Sequence, residues 1–153
     1  MTTTEQTDTQ AILAVLDELH TAIGAGDAER ALATCAPDAV VFNLAPPLVA
    51  GAGSHAGDLA ALEGWIASFD APPRMAHREP TVHADGDVAF VHTLTSMSGT
   101  TALEGTGTVD FTLWFRSTYG LRRVEGRWLI VHQHESVPFH MDGSFLAATG
   151  LTP

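Results

Sequence analysis

Arg116 is a charged residue inside an apolar stretch of the chain. It directly follows Trp114 and Phe115, in a segment rich in aromatic and β-branched residues that predicts a largely buried strand. A guanidinium stays charged when it is buried, so it needs partners there. Two interpretations remain open: a fork that holds a carboxylate or polarised carbonyl of a ligand, or an internal ion pair with Glu135 or Asp110.

Glu135 is the second candidate, in a later segment that also predicts a strand. Its carboxyl could act as a general base if desolvation raised its pKa, and the ion pair with Arg116 is the structural alternative. Strand alternation places Gln133 on the face of Glu135, and Trp114 and Thr118 on the face of Arg116. An error of one residue in the strand register would reverse this assignment of faces.

His132 and His134 share the other face of the strand that holds Glu135. The strand rise puts their Cα atoms about 6.6 Å apart. Three roles are open for the pair: structural hydrogen bonds or a dimer contact, acid–base chemistry in a pocket, and a metal site to which His92 could add a third ligand. We expect no metal.

Several further side chains could line a cavity. His77 and Glu79 share a face of an earlier predicted strand, which is either a cavity wall or a solvated edge. His20 lies near the end of the first predicted helix, where it either suits the helix dipole or reaches a cavity. Asn43 leads into a loop rich in Pro and Gly that could cover the mouth of a pocket. Trp65 belongs to an apolar stripe that predicts either core or pocket wall.

Hydrophobic periodicity predicts the elements that must position these residues. Helical spacing of apolar residues predicts a helix capped at Asp8 or Thr9, a short helix after Asp27, and a third at residues 58–69. The second and third helices are separated by a short strand at residues 40–42 and an irregular loop at 43–57, with a brief strand possible at 48–49. The second half predicts two hairpins with a turn at 98–101 between them, and their strands span residues 75–84, 88–98, 107–123 and 127–139.

The order and the length of these elements predict the fold class. Helices come first and strands afterwards, which favours an α+β fold over a parallel α/β fold. Strands this long exceed the usual ~5 to 6 residues and indicate a bent sheet. We therefore expect about three N-terminal helices packed on a strongly curved antiparallel sheet that encloses a pocket. Residues 1–7 are expected to be a disordered tail, 8–142 a single domain, and 143–153 a C-terminal tail.

Composition narrows the possible partners. The 153 residues include 18 Asp and Glu against seven Lys and Arg, a formal net charge of -11, so nucleic acid and membranes are poor partners. The single cysteine, Cys35, is expected to be a small buried side chain at a helix end. The first residues lack the basic and apolar regions of a signal peptide, so the expected location is cytoplasmic.

Parts of the sequence resemble a known superfamily. The Ala-Gly-Asp at residues 25–27 and the Ala-Pro-Asp-Ala-Val at 36–40 resemble the helix-turn-helix opening of the nuclear-transport-factor-2-like superfamily. The last hairpin, residues 114–118 and 125–139, is similar to the SnoaL-like branch and to the hub domain of calcium/calmodulin-dependent kinase II. The resemblance covers nearly the whole chain and implies a cone-shaped fold. That fold serves isomerases, dehydratases, cyclases and assembly domains, so it leaves the reaction open.

The ketosteroid isomerases of this superfamily allow a comparison by position. Counting from the Pro-Asp-Ala at residues 37–39, the position of their general-base aspartate falls on Asn43. Counting back from residues 25–27, the position of their oxyanion-hole tyrosine falls on Leu19. An amide does not take a proton at neutral pH, and Leu donates no hydrogen bond. Both departures argue against steroid isomerase chemistry.

The hub domains imply which strand faces meet the pocket. They carry a cationic residue at the position of Glu135 that points into the cavity, which implies that Arg116, Gln133 and Glu135 face the pocket here. His132 and His134 would then face outward, toward a contact between two sheets, and the family binds no metal there. The predicted catalytic residues are Arg116, Glu135 and, as a pocket histidine, His134. The predicted ligand contacts are Asn43, Trp65, His77, Trp114, Thr118, His132 and Gln133.

Two functions remain open at this point. The first is a SnoaL-like enzyme that needs no cofactor and performs acid–base chemistry on a small apolar carbonyl compound, with Arg116 on the oxygen and Glu135 or a pocket histidine moving the proton. The second is a non-catalytic domain for ligand binding or assembly. We also expect a homodimer through the convex face of the sheet, because the strands are too apolar for solvent on both sides. The residues concerned are Trp128, Ile130, Phe111, Leu113 and Phe115.

Overall fold

A six-stranded sheet curls around three helices in the computed structural model of the protein. The structure describes residues 3–51, 55–103, 105 and 107–153. The helices are α1 (Thr3–Gly24), α2 (Ala28–Leu32) and α3 (His55–Ile66). The α+β fold class is confirmed, with two strands before α3 in the chain and four after it.

The helix boundaries follow local chemistry. Helix α1 buries one apolar stripe, Ile12, Leu16, Leu19 and Ile23, at helical spacing. It begins at Thr3, before the expected cap at Asp8 or Thr9, because polar first turns can extend a helix whose later turns are already packed.

A short turn separates α1 from α2. Gly26 adopts a φ of 74°, and the carboxylate of Asp27 then accepts a hydrogen bond from the Arg30 N–H at 3.0 Å. Helix α3 ends at Ile66, three residues earlier than expected, since the Ser68 hydroxyl donates to the Trp65 carbonyl at 2.6 Å and forms a turn there.

The sheet contains one pairing that the sequence did not predict. The strands lie side by side in the order β2-β1-β6-β5-β4-β3. Strands β1 and β6 are parallel, so a wholly antiparallel sheet was wrong at this pair. Parallel neighbours need a crossover connection, and here α3 and four strands separate the two in sequence. The strands are β1 (Cys35–Phe42), β2 (Ala50–Gly51), β3 (Arg74–Asp85), β4 (Val88–Leu103), β5 (Gly107–Val124) and β6 (Arg127–Ser136).

Both predicted hairpin turns are confirmed, and one predicted turn is wrong. Asp85 pairs with Val88 and Val124 with Arg127, so each turn consists of two residues. Each turn contains a glycine with a positive φ, Gly86 in the first and Gly126 in the second. The chain does not turn at 98–101. Strand β4 continues to Leu103, because its threonines suit a strand and remain paired with β5 throughout.

The core lies on the concave face of the sheet, under α1. Five buried side chains of the sheet pack against the apolar stripe of α1 there: Val91, Tyr119, Leu121, Trp128 and Ile130. Trp128 and Ile130, together with the buried Phe115, therefore give no apolar surface to the convex face. The prediction that these residues form the dimer contact was wrong, since their apolar side chains are already packed inside the domain.

The segment after β6 packs back on the domain. Phe139 and Ala147 form an isolated bridge, Ala148 is buried, and its N–H donates to the Pro138 carbonyl at 2.8 Å. Part of the expected C-terminal tail, residues 143–153, is thus held by backbone hydrogen bonds. Cys35 lies in β1 and not at a helix end. Among the described helices, none has the length and apolar character that a bilayer crossing requires.

Candidate functional site

A cavity of about 520 Å³ lies between the three helices and the concave face of the sheet. This volume falls in the usual range of small-molecule sites, about 300–1,000 Å³. Most of its wall is apolar, including Leu19, Ile23, Leu62, Trp65, Met75, Met97, Leu113 and Phe115. Its polar side chains are His20, Cys35, Asn43, Asp58, Gln133 and Glu135. The cavity wall includes no Lys or Arg among the residues that the structure describes.

A β-bulge in β6 positions Gln133 and Glu135. Leu121 pairs with Ile130, but the next residue, Gly120, pairs with His132. Val131 is therefore an extra residue with no partner opposite it. The bulge lets the buried Ile130 and the two polar residues beyond it face the same concave side, although simple alternation puts them on opposite sides.

The same bulge puts Glu135 and Arg116 on opposite faces of the sheet. The two-residue turn alone would place Arg116 opposite Glu135, but the shift of one residue pairs Arg116 with Ser136 and Glu135 with Ser117. Arg116 is exposed on the convex face, so the predicted Arg116–Glu135 ion pair and the ligand fork are wrong. Trp114 and Thr118 alternate with Arg116 and lie on that convex face too, outside the cavity wall.

Glu135 is a carboxyl in a mostly apolar environment. The Gln133 side-chain amide donates a hydrogen bond to Glu135 Oε1 at 2.7 Å. Burial raises the pKa of Glu135 to about 7, and the hydrogen bond from Gln133 opposes this rise only in part. Near neutral pH the group therefore exists in both protonation states, which suits a residue that takes up and returns a proton.

His20 lies on the α1 side of the cavity and is buried. Its ring stacks on His77 with centroids 3.9 Å apart and an angle of 24° between the planes. Burial, and secondarily the charge that His77 would carry, lower the pKa of His20 to about 3. Burial also lowers the pKa of His77, against the opposing effects of Asp17 and the Leu16 carbonyl. Both imidazoles are consequently neutral at pH 7.

Tyr119 completes this polar group from the sheet side. Its hydroxyl lies 3.5 Å from Nε2 of His20, and its ring meets the edge of His77 at a centroid distance of 5.6 Å. Burial, followed by the negative charge of Glu135, raises the pKa of Tyr119, so the phenol keeps its proton. The sequence argument missed Tyr119, although its alternation with Phe115 on β5 was a usable signal.

The remaining predicted residues divide between the cavity and the convex face. Asn43 and Trp65 line the cavity, and His77 lies behind His20. His132 lies outside the cavity, and its Nδ1 is 2.8 Å from the Val40 carbonyl oxygen.

His134 is exposed beside Phe42, so its predicted place in the pocket is wrong, again because of the bulge. Within the described ranges, no group of three His, Cys, Asp or Glu side chains is arranged to hold a metal ion.

Comparisons with known proteins agree on the fold. A family model described as a SnoaL-like domain matches residues 12–140. Among solved structures, an NTF2-like protein of unknown function from Pseudomonas putida KT2440 is 25% identical, with a TM-score of 0.80 and coverage of 100% of this chain and 99% of that one. A search of curated proteins returns no match.

Two more distant structures show the fold alone. A proposed scytalone dehydratase from Novosphingobium aromaticivorans is 18% identical, with a TM-score of 0.74 and coverage of 88% of this chain and 87% of that one. The association domain of C. elegans CaMKII is 20% identical, with a TM-score of 0.67 and coverage of 89% of this chain and 100% of that one.

Proposed function

Because the chain belongs to the SnoaL-like domain family, within the NTF2-like superfamily, we propose that its cavity binds a small, largely apolar carbonyl compound and performs acid–base chemistry on it without a cofactor. The observation that supports this proposal best is the placement of Glu135. Its carboxyl lies in an apolar cavity, accepts one hydrogen bond from Gln133 and has no cationic neighbour on the described cavity wall.

The proposed reaction begins with the ionised form of Glu135. The carboxylate takes a proton from the carbon next to the carbonyl group, and the electron pair of the C–H bond moves toward the carbonyl oxygen. The electron pair then returns from the oxygen. In an isomerisation it forms a C–H bond at another carbon of the conjugated system with the proton of Glu135, and in a dehydration it expels a hydroxyl from the adjacent carbon, whose C–O bond breaks as Glu135 protonates the hydroxyl to water. The dehydration outcome agrees with the name given to the N. aromaticivorans structure.

The charge of the cavity restricts the substrate. Arg116 lies outside it, so no described cation is available to hold a carboxylate or phosphate group. Glu135 and Asp58 would instead repel an anion in a poorly solvated space. The substrate is therefore proposed to be uncharged at the end that enters the cavity.

Proton exchange at carbon tests the proposal without knowledge of the natural substrate. Wild-type protein in D₂O is incubated with uncharged ketones such as 2-acetylnaphthalene and 1-tetralone, and deuterium uptake beside the carbonyl is followed by NMR. We expect catalysed exchange that Glu135→Gln reduces about 100-fold or more. Glu125→Gln, in the exposed turn between β5 and β6, is the matched control and should leave exchange unchanged. Binding without exchange would favour a non-catalytic ligand-binding domain.

The convex face supports a second proposal, which concerns assembly. The exposed or half-buried residues there include Phe90, Leu94 and Trp114, flanked by Arg78 and Arg116. Strand pairing places them in neighbouring rows of the sheet. Since some structures of this fold are association domains, we propose that two chains dimerise through this face.

A further inference from the structure

Three polar rings meet at one side of the cavity, and packing alone does not explain them. His20 and Tyr119 are buried, and His77 stacks directly on His20. Neither ring nitrogen of His77 makes a hydrogen bond of normal geometry with a described residue. Burying polar groups with incomplete hydrogen bonding is unfavourable, and apolar rings of similar size would fill this space at lower cost.

We propose that His20 donates a hydrogen bond to the oxygen of the bound ligand, and that Tyr119 and His77 hold its ring for this purpose. The inference rests on the proposed function of the cavity as a small-molecule site. His20 is the member of the group that lines the cavity. Tyr119 and His77 act through it and are positioning residues.

The Tyr119 hydroxyl and Nε2 of His20 are close enough for a hydrogen bond in either direction, and we assign the phenol as its donor. A neutral imidazole has one N–H and one acceptor nitrogen. The Tyr119 hydroxyl is next to Nε2, and a phenol that donates to Nε2 requires the proton of the ring to be on Nδ1. Nδ1–H is then the donor offered to the ligand.

The position of His20 suits the chemistry assigned to Glu135. His20 belongs to α1 and Glu135 to β6, and both line the same cavity. When Glu135 removes a proton beside a carbonyl, negative charge develops on the oxygen. A fixed N–H donor then stabilises the transition state more than the ground state. Because burial lowers the pKa of both His20 and His77, the donor is an uncharged imidazole N–H at pH 7.

The tautomer of His20 can be tested without any ligand. In ¹⁵N-histidine-labelled protein, the nitrogen shifts of His20 should report Nδ1–H at pH 7, and Tyr119→Phe should move the ring toward the more common Nε2–H form. The signal is assigned by its loss in His20→Gln. Nε2–H in the wild-type protein would overturn the proposal.

Ligand binding tests the donor role directly. The probes are 2-acetylnaphthalene and 2-isopropenylnaphthalene, which differ by a carbonyl oxygen in place of a CH₂ group. We expect wild-type protein to bind the ketone about five- to tenfold more tightly than the hydrocarbon, as one hydrogen bond permits. His20→Phe should abolish this preference while hydrocarbon affinity changes less than about threefold. His20→Gln, which keeps an N–H donor, should retain part of it.

The outcomes separate this inference from the proposed catalysis. Glu135→Gln should lose deuterium exchange but keep the preference for the ketone. A ketone preference that depends on His20 supports the inference even if no ketone exchanges deuterium. A preference that survives in His20→Phe would overturn it, and so would equal binding of the two probes to wild-type protein. If neither probe binds, the proposed cavity function fails, and Nδ1–H alone would not rescue the donor role.

Discussion

Glu135 and His20 have pKa values shifted in opposite directions by the same cause. Burial disfavours the charged form of each, which raises the pKa of the carboxyl to about 7 and lowers that of the imidazole to about 3. At pH 7 the cavity therefore contains a carboxyl that can exchange a proton and an imidazole that does not. Pairs of titratable groups whose environments move their pKa values apart often have distinct acid–base roles.

Replacing Glu135 should change the pH dependence of stability. Because the folded-state pKa is raised above the ordinary value, the wild-type protein loses stability as the pH rises from about 4.5 through 7. Glu135→Gln imitates the protonated form and removes that loss. We expect the variant to gain about 1–3 kcal/mol in free energy of unfolding relative to wild type on going from pH 5 to pH 8.

Urea unfolding at both pH values measures this effect. His20 changes wild-type stability in the opposite sense, since its lowered pKa costs stability as the pH falls below about 6.5. Comparison of the variant with wild type at each pH cancels the contribution of His20. Glu125→Gln serves as the exposed control, and an equal difference from wild type at both pH values in Glu135→Gln would show that Glu135 is not desolvated.

At the scale of elements, the bulge in β6 determines what the site contains. One extra residue, Val131, exchanges the faces of the strand, so Gln133 and Glu135 join the concave side and His134 leaves it. Bulges commonly re-aim side chains next to functional sites. Gly120 lies opposite, where an added Cβ would be 3.4 Å from the Cβ of His132. The absence of a side chain at that position gives the bulged strand room.

Two glycines give a matched test of how the elements are encoded. Gly126 occupies the turn between β5 and β6 with a φ of 79°, which Ala adopts only with strain, so Gly126→Ala should lower the free energy of unfolding by about 1 kcal/mol. Gly64 lies on the exposed side of α3, with no atom within 4 Å of an added Cβ. Gly64→Ala should raise the free energy of unfolding by up to about 1 kcal/mol.

Chemical denaturation of both variants checks the pair, and far-UV circular dichroism confirms that the fold is kept. The two substitutions add the same methyl group, so their opposite signs would arise from backbone conformation alone. A stabilising effect of Gly126→Ala would mean that the turn does not need a left-handed residue.

At the scale of the whole molecule, the convex face of the sheet is the proposed dimer surface. We expect wild-type protein to sediment as a dimer at micromolar concentration. Phe90 is 48% exposed on that face, and Phe90→Asp should weaken dimerisation at least about tenfold, because the interface would bury an unpaired carboxylate. Sedimentation velocity over a concentration series measures the change.

The control for this prediction is a residue far more exposed than Phe90. Leu48 is 93% exposed in the loop between β1 and β2, and Leu48→Asp should leave the dimer unchanged. A monomeric wild-type protein would reject the dimer. Loss of the dimer in Leu48→Asp with retention in Phe90→Asp would move the contact away from the sheet.

Local chemistry determined much of the fold from the sequence alone. Apolar periodicity gave three helices, the Asp-Gly and Glu-Gly turns gave the two hairpins, and the order of elements gave the α+β class. These features depend on residues close together in the chain. Asn43, Trp65, Gln133 and Glu135 were also predicted as site residues, and all four line the cavity.

Only the tertiary structure decided which side chains share that cavity. A strand has the same alternation whether or not a bulge interrupts it, and the sequence around Val131 does not reveal one. The bulge moved His134 out of the predicted site and put Glu135 on the opposite face of the sheet from Arg116, Trp114 and Thr118. Tyr119 and His20 are 99 residues apart in sequence, and their contact exists only because the curved sheet closes over α1. Burial by distant elements is also what shifts the pKa values of His20 and Glu135, so no local pattern could have predicted them.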